Sequence, residues 1–438
     1  MGRRPADATE VALRFGVDEG DTDIMIGGPQ RALVLGCHGG VGRATLALLE
    51  RSAPGRRLRQ SLETLMLVDR EESHLEPSLQ DAVLLPPTIV GSAQDLAGLI
   101  RQHGITQVVD VSSVDTVDCT RACDELGTDF LCTSVEEWAG GGSIPTDQAI
   151  ARLLPPQRIA LQHQSHLVGS GANPGIVNAL ALIALDEFAG RVGVSTIAAL
   201  DLHAVLITED DTTIEQGASD SIDVFPMTWS PIHCLEELFE PAAFAARDGR
   251  VVALGHRPTE RWYRARCGDR LIEGMAVPHE EIATLARRLS TVEIGFIYRI
   301  PPAARRALAA DADNMVADAW QTRRLYPPWA RMLTGQDRVG VLLCSRRFGE
   351  FWMGFDTDMT RGLDMGTNAT QLQVAAGVIA GWNQLGRLKG IHFVEDLDCQ
   401  EFVRLVSEVL GPPVTFHDRS AKPTSLADRA VMSPQRVT

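Results

Sequence analysis

Short apolar runs alternate with amphipathic stretches through the first 170 residues. ALVL (Ala32–Leu35) reads as a buried strand, GCHGGVG (Gly36–Gly42) as a turn, and RATLALLERS (Arg43–Ser52) as a helix with apolar residues at helical spacing. TLMLVD (Thr64–Asp69), ITQVVDVSS (Ile105–Ser113) and TDFLCTSV (Thr128–Val135) are further strands; AQDLAGLIRQHG (Ala93–Gly104) and VDCTRACDELG (Val117–Gly127) are helices. Strands that alternate with helices form βαβ units around a parallel sheet. The pattern predicts an α/β fold whose residues 31–170 are a Rossmann-type, doubly wound domain, preceded by a polar extension at 1–30.

The middle of the chain changes character. VSTIAALDLHAVLI (Val194–Ile207), VVALGHRP (Val251–Pro258), VEIGFIYRI (Val292–Ile300) and RVGVLLCSRR (Arg338–Arg347) read as strands without regular helices between them. Such strands predict a mostly antiparallel sheet, here an α+β substrate and catalytic domain over 171–365. IVNALALIAL (Ile176–Leu185) is a buried helix, too short to span a bilayer. Residues 366–438 predict helices that return to the core, at Asn368–Leu388 after an Asn cap and at Cys399–Gly411, and then a polar tail whose last twenty or so residues are expected to be disordered.

Composition narrows the function classes. Of 438 residues, 45% are hydrophobic and 22% charged, as in ordinary globular proteins. A formal charge of −16 argues against a nucleic-acid partner, which needs clustered Lys and Arg. The eight cysteines form no CxxC pair, so no metal is expected; Cys119 and Cys123, four apart, share a helix face. The start, MGRRPADATEVALRF, has no apolar core of a secretory signal. These features predict a cytoplasmic protein with reduced thiols and no membrane association.

Gly36, Gly39 and Gly42 form G-x-x-G-x-x-G between a strand and a helix, with Gly40 and Val41 inside the turn. Glycine there permits a tight turn and a close approach to a pyrophosphate, and the helix N-terminus supplies unpaired N–H groups. The second strand ends in Asp69, a candidate acceptor for adenosine ribose hydroxyls, which favours NAD; Arg70 beside it leaves NADP open. Asp69 lies 27 residues after Gly42, and Gly55–Gln60 is read as the extra loop. His38 reads as a local hydrogen-bonding group.

The stretch Ile207–Glu240 carries nine carboxylates, no Lys or Arg, and Trp229 at its centre. A pocket for a diamine must replace the hydration of two cationic ends. Carboxylates do so by charge-assisted hydrogen bonds and a Trp face by its quadrupole. Glu209, Asp211, Trp229 and Glu237 fit that chemistry, and crowding raises the pKa of some acids enough for one to act as a base. Asp210, Glu215, Asp220 and Glu240 read instead as solvated. His279, followed by two glutamates, is a candidate to orient a carboxylate or shuttle a proton.

Several blocks together resemble bacterial homospermidine synthases, within the wider saccharopine-dehydrogenase-like group: SVDTVDCTRACDELGTDFLCTSVEEW, GANPGIVNALA, ITEDDTT, MTWSPIHCLEE, GMAVPHEE, DRVGVLLCSRRFGEFWMG and NATQLQVAAGVIAG. The resemblance implies a homodimer that holds NAD tightly, oxidises putrescine to an imine, lets a second amine displace ammonia, and returns the hydride. It places Trp229, Glu237, Glu209, Asp211 and His279 in the diamine pocket. Asn173, Asp115 and Ser112 fall near the nicotinamide ribose or the substrate's edge, and Glu136 matches the first acid of a Glu-Pro-Trp block. Thr133, within the fourth strand, completes the candidate cofactor set. The sequence departs from the family at Met227, Thr213, Glu137, Pro278 and Asp110, several of them in the proposed pocket, so a modified amine is a variant substrate. One alternative is a saccharopine- or opine-type oxidoreductase that joins an amino acid to a carbonyl compound, with Arg299, Arg346 and Arg347 as candidate carboxylate holders. Another is a cofactor-binding sensor without chemistry.

Overall fold

The computed structural model describes residues 30–71, 79, 81–138, 145–154, 161, 163–217, 225–310, 323–325, 333–422 and 424–431. The N-terminal extension up to residue 29, Asp220 and Asp223 lie outside them. The chain runs β1 (Arg31–Leu35), α1 (Gly40–Arg51), α2 (Ala53–Ser61), β2 (Thr64–Val68), β3 (Val83–Leu84), α3 (Ala93–His103), β4 (Gln107–Asp110), α4 (Thr116–Glu125), β5 (Asp129–Cys132), α5 (Thr146–Ala151), β6 (Ser165–Leu167) and α6 (Ile176–Val192). The reading of Gly55–Gln60 as a loop is corrected. Pro54 occupies the first turn of α2 and Ser52 caps it by accepting from Gly55 N, so the inserted length folds as a helix.

The second half contributes β7 (Leu202–Asp211), β8 (Ile214–Glu215), β9 (Phe225–Met227), α7 (Pro231–Leu238), β10 (Phe244–Arg247), β11 (Arg250–Ala253), β12 (Trp262–Cys267), β13 (Arg270–Ala276), α8 (Glu280–Ala286), β14 (Glu293–Arg299), α9 (Pro302–Ala310) and β15 (Arg323–Leu325). It closes with β16 (Leu333–Thr334), β17 (Gln336–Ser345), β18 (Gly349–Asp358), α10 (Met359–Asp364), α11 (Ala369–Trp382), β19 (Gly390–His392), α12 (Cys399–Leu410), β20 (Val414–Asp418) and β21 (Ala430–Val431).

The first sheet is parallel throughout, in the order β19-β6-β5-β4-β1-β2-β3. Its strand order reverses between β1 and β4, where doubly wound sheets open a ligand crevice at their carboxyl ends. The outermost strand, β19, comes from the far end of the sequence. The second sheet runs β20-β18-β17-β7-β14-β13-β12-β21, with β10 and β11 attached at β14. It is antiparallel except for β7 and β14. The expectation that no regular helix separates these strands is therefore corrected: α7 and α8 fall between β7 and β14 and let β14 return parallel to β7. One apolar core joins α1, α6, α11 and α12 to faces of both sheets.

The polar tail is also corrected. Leu426 is fully buried, its N–H donates to Glu293 Oε2 (2.6 Å), Arg429 pairs with Glu350 (2.5 Å), and β21 pairs with β12. A single leucine and a buried ion pair anchor a segment whose composition signals disorder.

Candidate active site

The glycine turn is built for close approach. Gly36 has φ 77°, and a Cβ there would stand 2.9 Å from Ser112 Cβ and Val111 O. A Cβ on Gly42 would meet Gly36 O at 2.2 Å. Gly39 donates to Gly36 O (3.1 Å) and occupies the cap position of α1, where no side chain caps the helix. Val41 packs partly buried against the core. Asp69 reaches across from the end of β2: Oδ2 accepts from His38 N (2.9 Å) and Oδ1 from Arg70 N (2.8 Å), while the Arg70 side chain is exposed beside Glu71. The carboxylate thus stiffens the turn from the position a ribose-binding acid takes. Close-approach glycines, an uncapped helix start and an acid at the end of β2 together fit a dinucleotide.

On the other side of the crevice Ser112 donates from N (2.9 Å) and Oγ (2.5 Å) to Asp110 Oδ1. Burial pushes the Asp110 carboxyl up to about 7, against the Ser112 bonds. Asp115 caps α4 by accepting from Asp118 N (2.8 Å) and pairs with Arg152 (3.3 Å), which also binds Glu137 (2.6 Å). Thr133 is half-buried just beyond β5.

An acid nest lies where the second sheet meets this crevice. Alternation along β7 puts Glu209 and Asp211 on one face and Asp210 on the other. The register sets Asp337 of β17 opposite Asp211, and Tyr298 of β14 beside Glu209. Glu209 is 3% exposed; Asp211 and Asp337 are 0% exposed. Like charges directly across a ladder are destabilising, and among the described residues no Lys or Arg stands within ion-pair distance of these three. Neutral donors hold them instead. Asn173 Nδ2, in the loop after β6 where the Asn173–Pro174 bond is cis, donates to Glu209 Oε2 (2.6 Å). Thr228 Oγ1 (2.6 Å) and Thr213 N (2.8 Å) donate to Asp211, and Thr370 Oγ1 donates to Asp337 Oδ2 (2.6 Å). Among the described residues Asp337 Oδ1 is buried without a partner. Burial, then the Asp211 charge, raise Glu209 to about 8. Burial raises Asp211, and burial followed by the Glu209 and Asp211 charges holds Asp337 well above the carboxylate range. Glu209 therefore holds its proton at neutral pH when no cation shares the nest.

Aromatic groups stand beside the acids. Trp229, half-buried, donates Nε1–H to Tyr298 Oη (3.0 Å), and Tyr298 stacks on Phe296 at 5.8 Å between centroids. His279 sits edge-on to Phe296 at 5.2 Å. Its Nδ1 lies 2.5 Å from Glu281 Oε2 and 3.2 Å from Glu280 Oε2, and its Nε2 is 3.7 Å from Glu237 Oε1. Burial disfavours the imidazolium, but the Glu281 and Glu237 charges prevail and keep His279 protonated well above its ordinary range. Burial likewise raises Glu237, against the His279 charge. His279, Glu280 and Glu281 are also close enough together to ligate a cation, though the ring nitrogen nearest the acids is engaged with Glu281. Glu280 Oε1 accepts from Val135 N (3.1 Å) after β5, and the next residue, Glu136, faces His233 of α7 (3.6 Å) and accepts from Ser134 Oγ (2.7 Å). Burial raises Glu136, with the His233 charge opposing.

The structure therefore gathers Glu209, Asp211, Trp229, Glu237, His279, Asn173 and Glu136 along one wall between the sheets, and Gly36, Gly39, Gly40, Val41, Gly42, Asp69 and Ser112 at the crevice. Asp115 is engaged in its cap and ion pair. Asp210, read as solvated, is corrected: it is fully buried and paired with Arg299 (3.2 Å) on the opposite face of β7. Glu240, read the same way, is half-buried and accepts from Thr146 N and Oγ1. Arg346 pairs with Asp201 (3.1 Å) and Arg347 lies over Phe348, so none of the three candidate carboxylate holders joins the nest. Asp337 and Tyr298 escaped the sequence reading. Tyr298 falls within the strand read over Val292–Ile300, whereas Asp337 lies one residue before the strand read from Arg338, and no local pattern marks it.

No protein-family model matches the chain. It is similar to a homospermidine synthase of Mesorhizobium japonicum, 23% identical over a 437-residue alignment that covers 85% of this chain and 87% of that protein. Among solved structures it resembles the homospermidine synthase of Legionella pneumophila in complex with NAD, with a TM-score of 0.73 and 19% identity over 89% of this chain and 92% of that one. Apo saccharopine dehydrogenase (L-Glu forming) of Saccharomyces cerevisiae gives a TM-score of 0.50 and 12% identity over 89% of this chain and 100% of that one. Both likenesses are of fold. Among the described residues no helix is long and apolar enough to cross a membrane.

Proposed function

We propose that the chain is an NAD-dependent enzyme of homospermidine-synthase type, transferring an aminobutyl group from putrescine to a second amine with loss of ammonia and no net redox change. The observation that carries this reading is the cluster of three buried carboxylates with no Lys or Arg counterion among the described residues, beside Trp229 and joined to the dinucleotide crevice through Asn173. Bound NAD supplies a hydride acceptor that can return the hydride within one turnover.

The chain's own groups do the rest. An ammonium entering the nest exchanges its hydration for charge-assisted hydrogen bonds that it donates to Glu209, Asp211 and Asp337. The Trp229 face adds cation attraction of about 0.5–2 kcal/mol. Glu209, poised at about 8, is matched to taking the ammonium proton before oxidation at the adjacent carbon. His279, held protonated by Glu281 and Glu237, is an acid suited to the departing amine. Glu237 and Glu136, both raised by burial, are further acids that a second ammonium can pair with once their protons leave. The cytoplasmic location expected from the sequence and the homodimer implied by the family resemblance belong to the same proposal.

Purified protein given putrescine and a small amount of NAD tests the reading. The expected result, by mass spectrometry and absorbance, is many homospermidines per NAD without accumulating NADH. NADH growing in step with product overturns it. The saccharopine-type alternative requires cations to hold substrate carboxylates, and Arg299, Arg346 and Arg347 are tied up elsewhere.

A further inference from the structure

The first turn of α11 touches both halves of the site. Its cap, Asn368, accepts from Gln371 N (2.9 Å) through Oδ1 and donates Nδ2–H to Thr228 O (2.7 Å), next to Trp229. Thr228 Oγ1 holds Asp211. One residue into the helix, Thr370 binds the Asp337 carboxyl, and Gln373 Nε2 donates to Asp337 O (2.9 Å). Gln371 points elsewhere. A Cβ added to Gly40, the first residue of α1, would stand 2.1 Å from Gln371 Nε2, 2.3 Å from its Cδ and 2.5 Å from its Oε1. Gly40 is therefore glycine to admit this amide, whereas Gly36 and Gly42 serve the turn itself. Thr367 Oγ1 donates to Gln371 Oε1 (2.8 Å), which fixes the amide and leaves Nε2 as its donor; among the described residues nothing accepts from it. The donor is held at the start of a helix that no side chain caps, the end that receives a dinucleotide's phosphates.

We propose that Gln371 is a further cofactor-binding residue, and that the α11 turn carrying it couples the dinucleotide to the acid nest, so that each ligand tightens binding of the other. This rests on the cofactor and cationic ligand of the proposed function. Linkage requires the effect to be reciprocal: the same turn that settles against the cofactor fixes the Thr228 and Asp337 contacts, and neither ligand can order it without favouring the other.

The test is calorimetric titration of NAD, and separately of ADP-ribose, into the full chain with and without putrescine, for wild type, Gln371→Leu and Gln371→Glu. Wild type should bind NAD several-fold more tightly when putrescine is present. Losing one hydrogen bond to a charged group should weaken NAD and ADP-ribose roughly tenfold or more in Gln371→Leu, abolish the linkage, and leave putrescine affinity without NAD unchanged. Gln371→Glu keeps the shape and the Thr367 bond but turns the donor into an acceptor; it should weaken ADP-ribose further, and it decides the matter if the leucine variant does not fold. A wild type that binds neither NAD nor putrescine overturns the proposed function and this coupling with it. A wild type that binds both, beside variants with unchanged NAD affinity and intact linkage, overturns the coupling alone.

Discussion

At the scale of single residues, Glu209 shows how position makes chemistry. A glutamate on a solvated loop ionises near its ordinary value; the same residue buried beside Asp211 holds its proton to about 8. Binding a cation requires the carboxylate, so below that pH the protein must release a proton to bind. The sign follows: diamine affinity rises with pH from about 6 to about 8, by up to tenfold per unit for each proton released, and falls once the amine itself loses its charge. Calorimetry in buffers of different ionisation enthalpy should show that proton release, and Glu209→Gln should flatten the rise. Affinity independent of pH across this range in wild type would remove the shared-proton picture of the nest. Glu209, Asp211 and Trp229 were legible because acids without basic partners, gathered around an aromatic ring, stand out in one stretch of sequence. Asp337 was not, because only the pairing of β17 with β7 brings it opposite Asp211.

At the scale of elements, the two faces of β7 separate the candidate site from a structural ion pair. Glu209 and Asp211 face the crevice; Asp210 faces Arg299 on the other side. Replacing Arg299 by Leu should lower the melting temperature, since the buried Asp210 loses its nearer cation and keeps only Arg270 at 3.9 Å, at a cost of about 1–3 kcal/mol, and should leave KM for the amine within about twofold. Thermal melts and steady-state kinetics read the two effects apart. A large rise in KM with an unchanged melt would instead place Arg299 in substrate binding and revive the oxidoreductase alternative. The βαβ units were readable because strong apolar periodicity repeated four times. The helix α2 was not, because APGRRLRQS offers few apolar positions and contains both Pro and Gly. Likewise β19 and β21 are only three and two residues long, too short for any periodicity, and tertiary pairing alone defines them.

At the scale of the molecule, two sheets made from distant parts of one chain share a core and leave a polar seam between them. Asn173 from the end of the first sheet touches Glu209 of the second, and Gln371 from the penultimate helix touches the first helix. The fold class was visible from alternation alone. The seam was not, since it depends on which loops meet across sheets, and no local pattern encodes that meeting. On the proposed reaction the seam is also where hydride transfer must be intramolecular: a hydride taken from an amine in the nest has to return before its carrier leaves. Putrescine deuterated at both amine-bearing carbons, supplied with NAD and an excess of unlabelled NADH, puts that requirement to a direct measurement. The account predicts that homospermidine keeps every deuterium of its two parent amines. Product one deuterium short, with the label found in released cofactor, would contradict it.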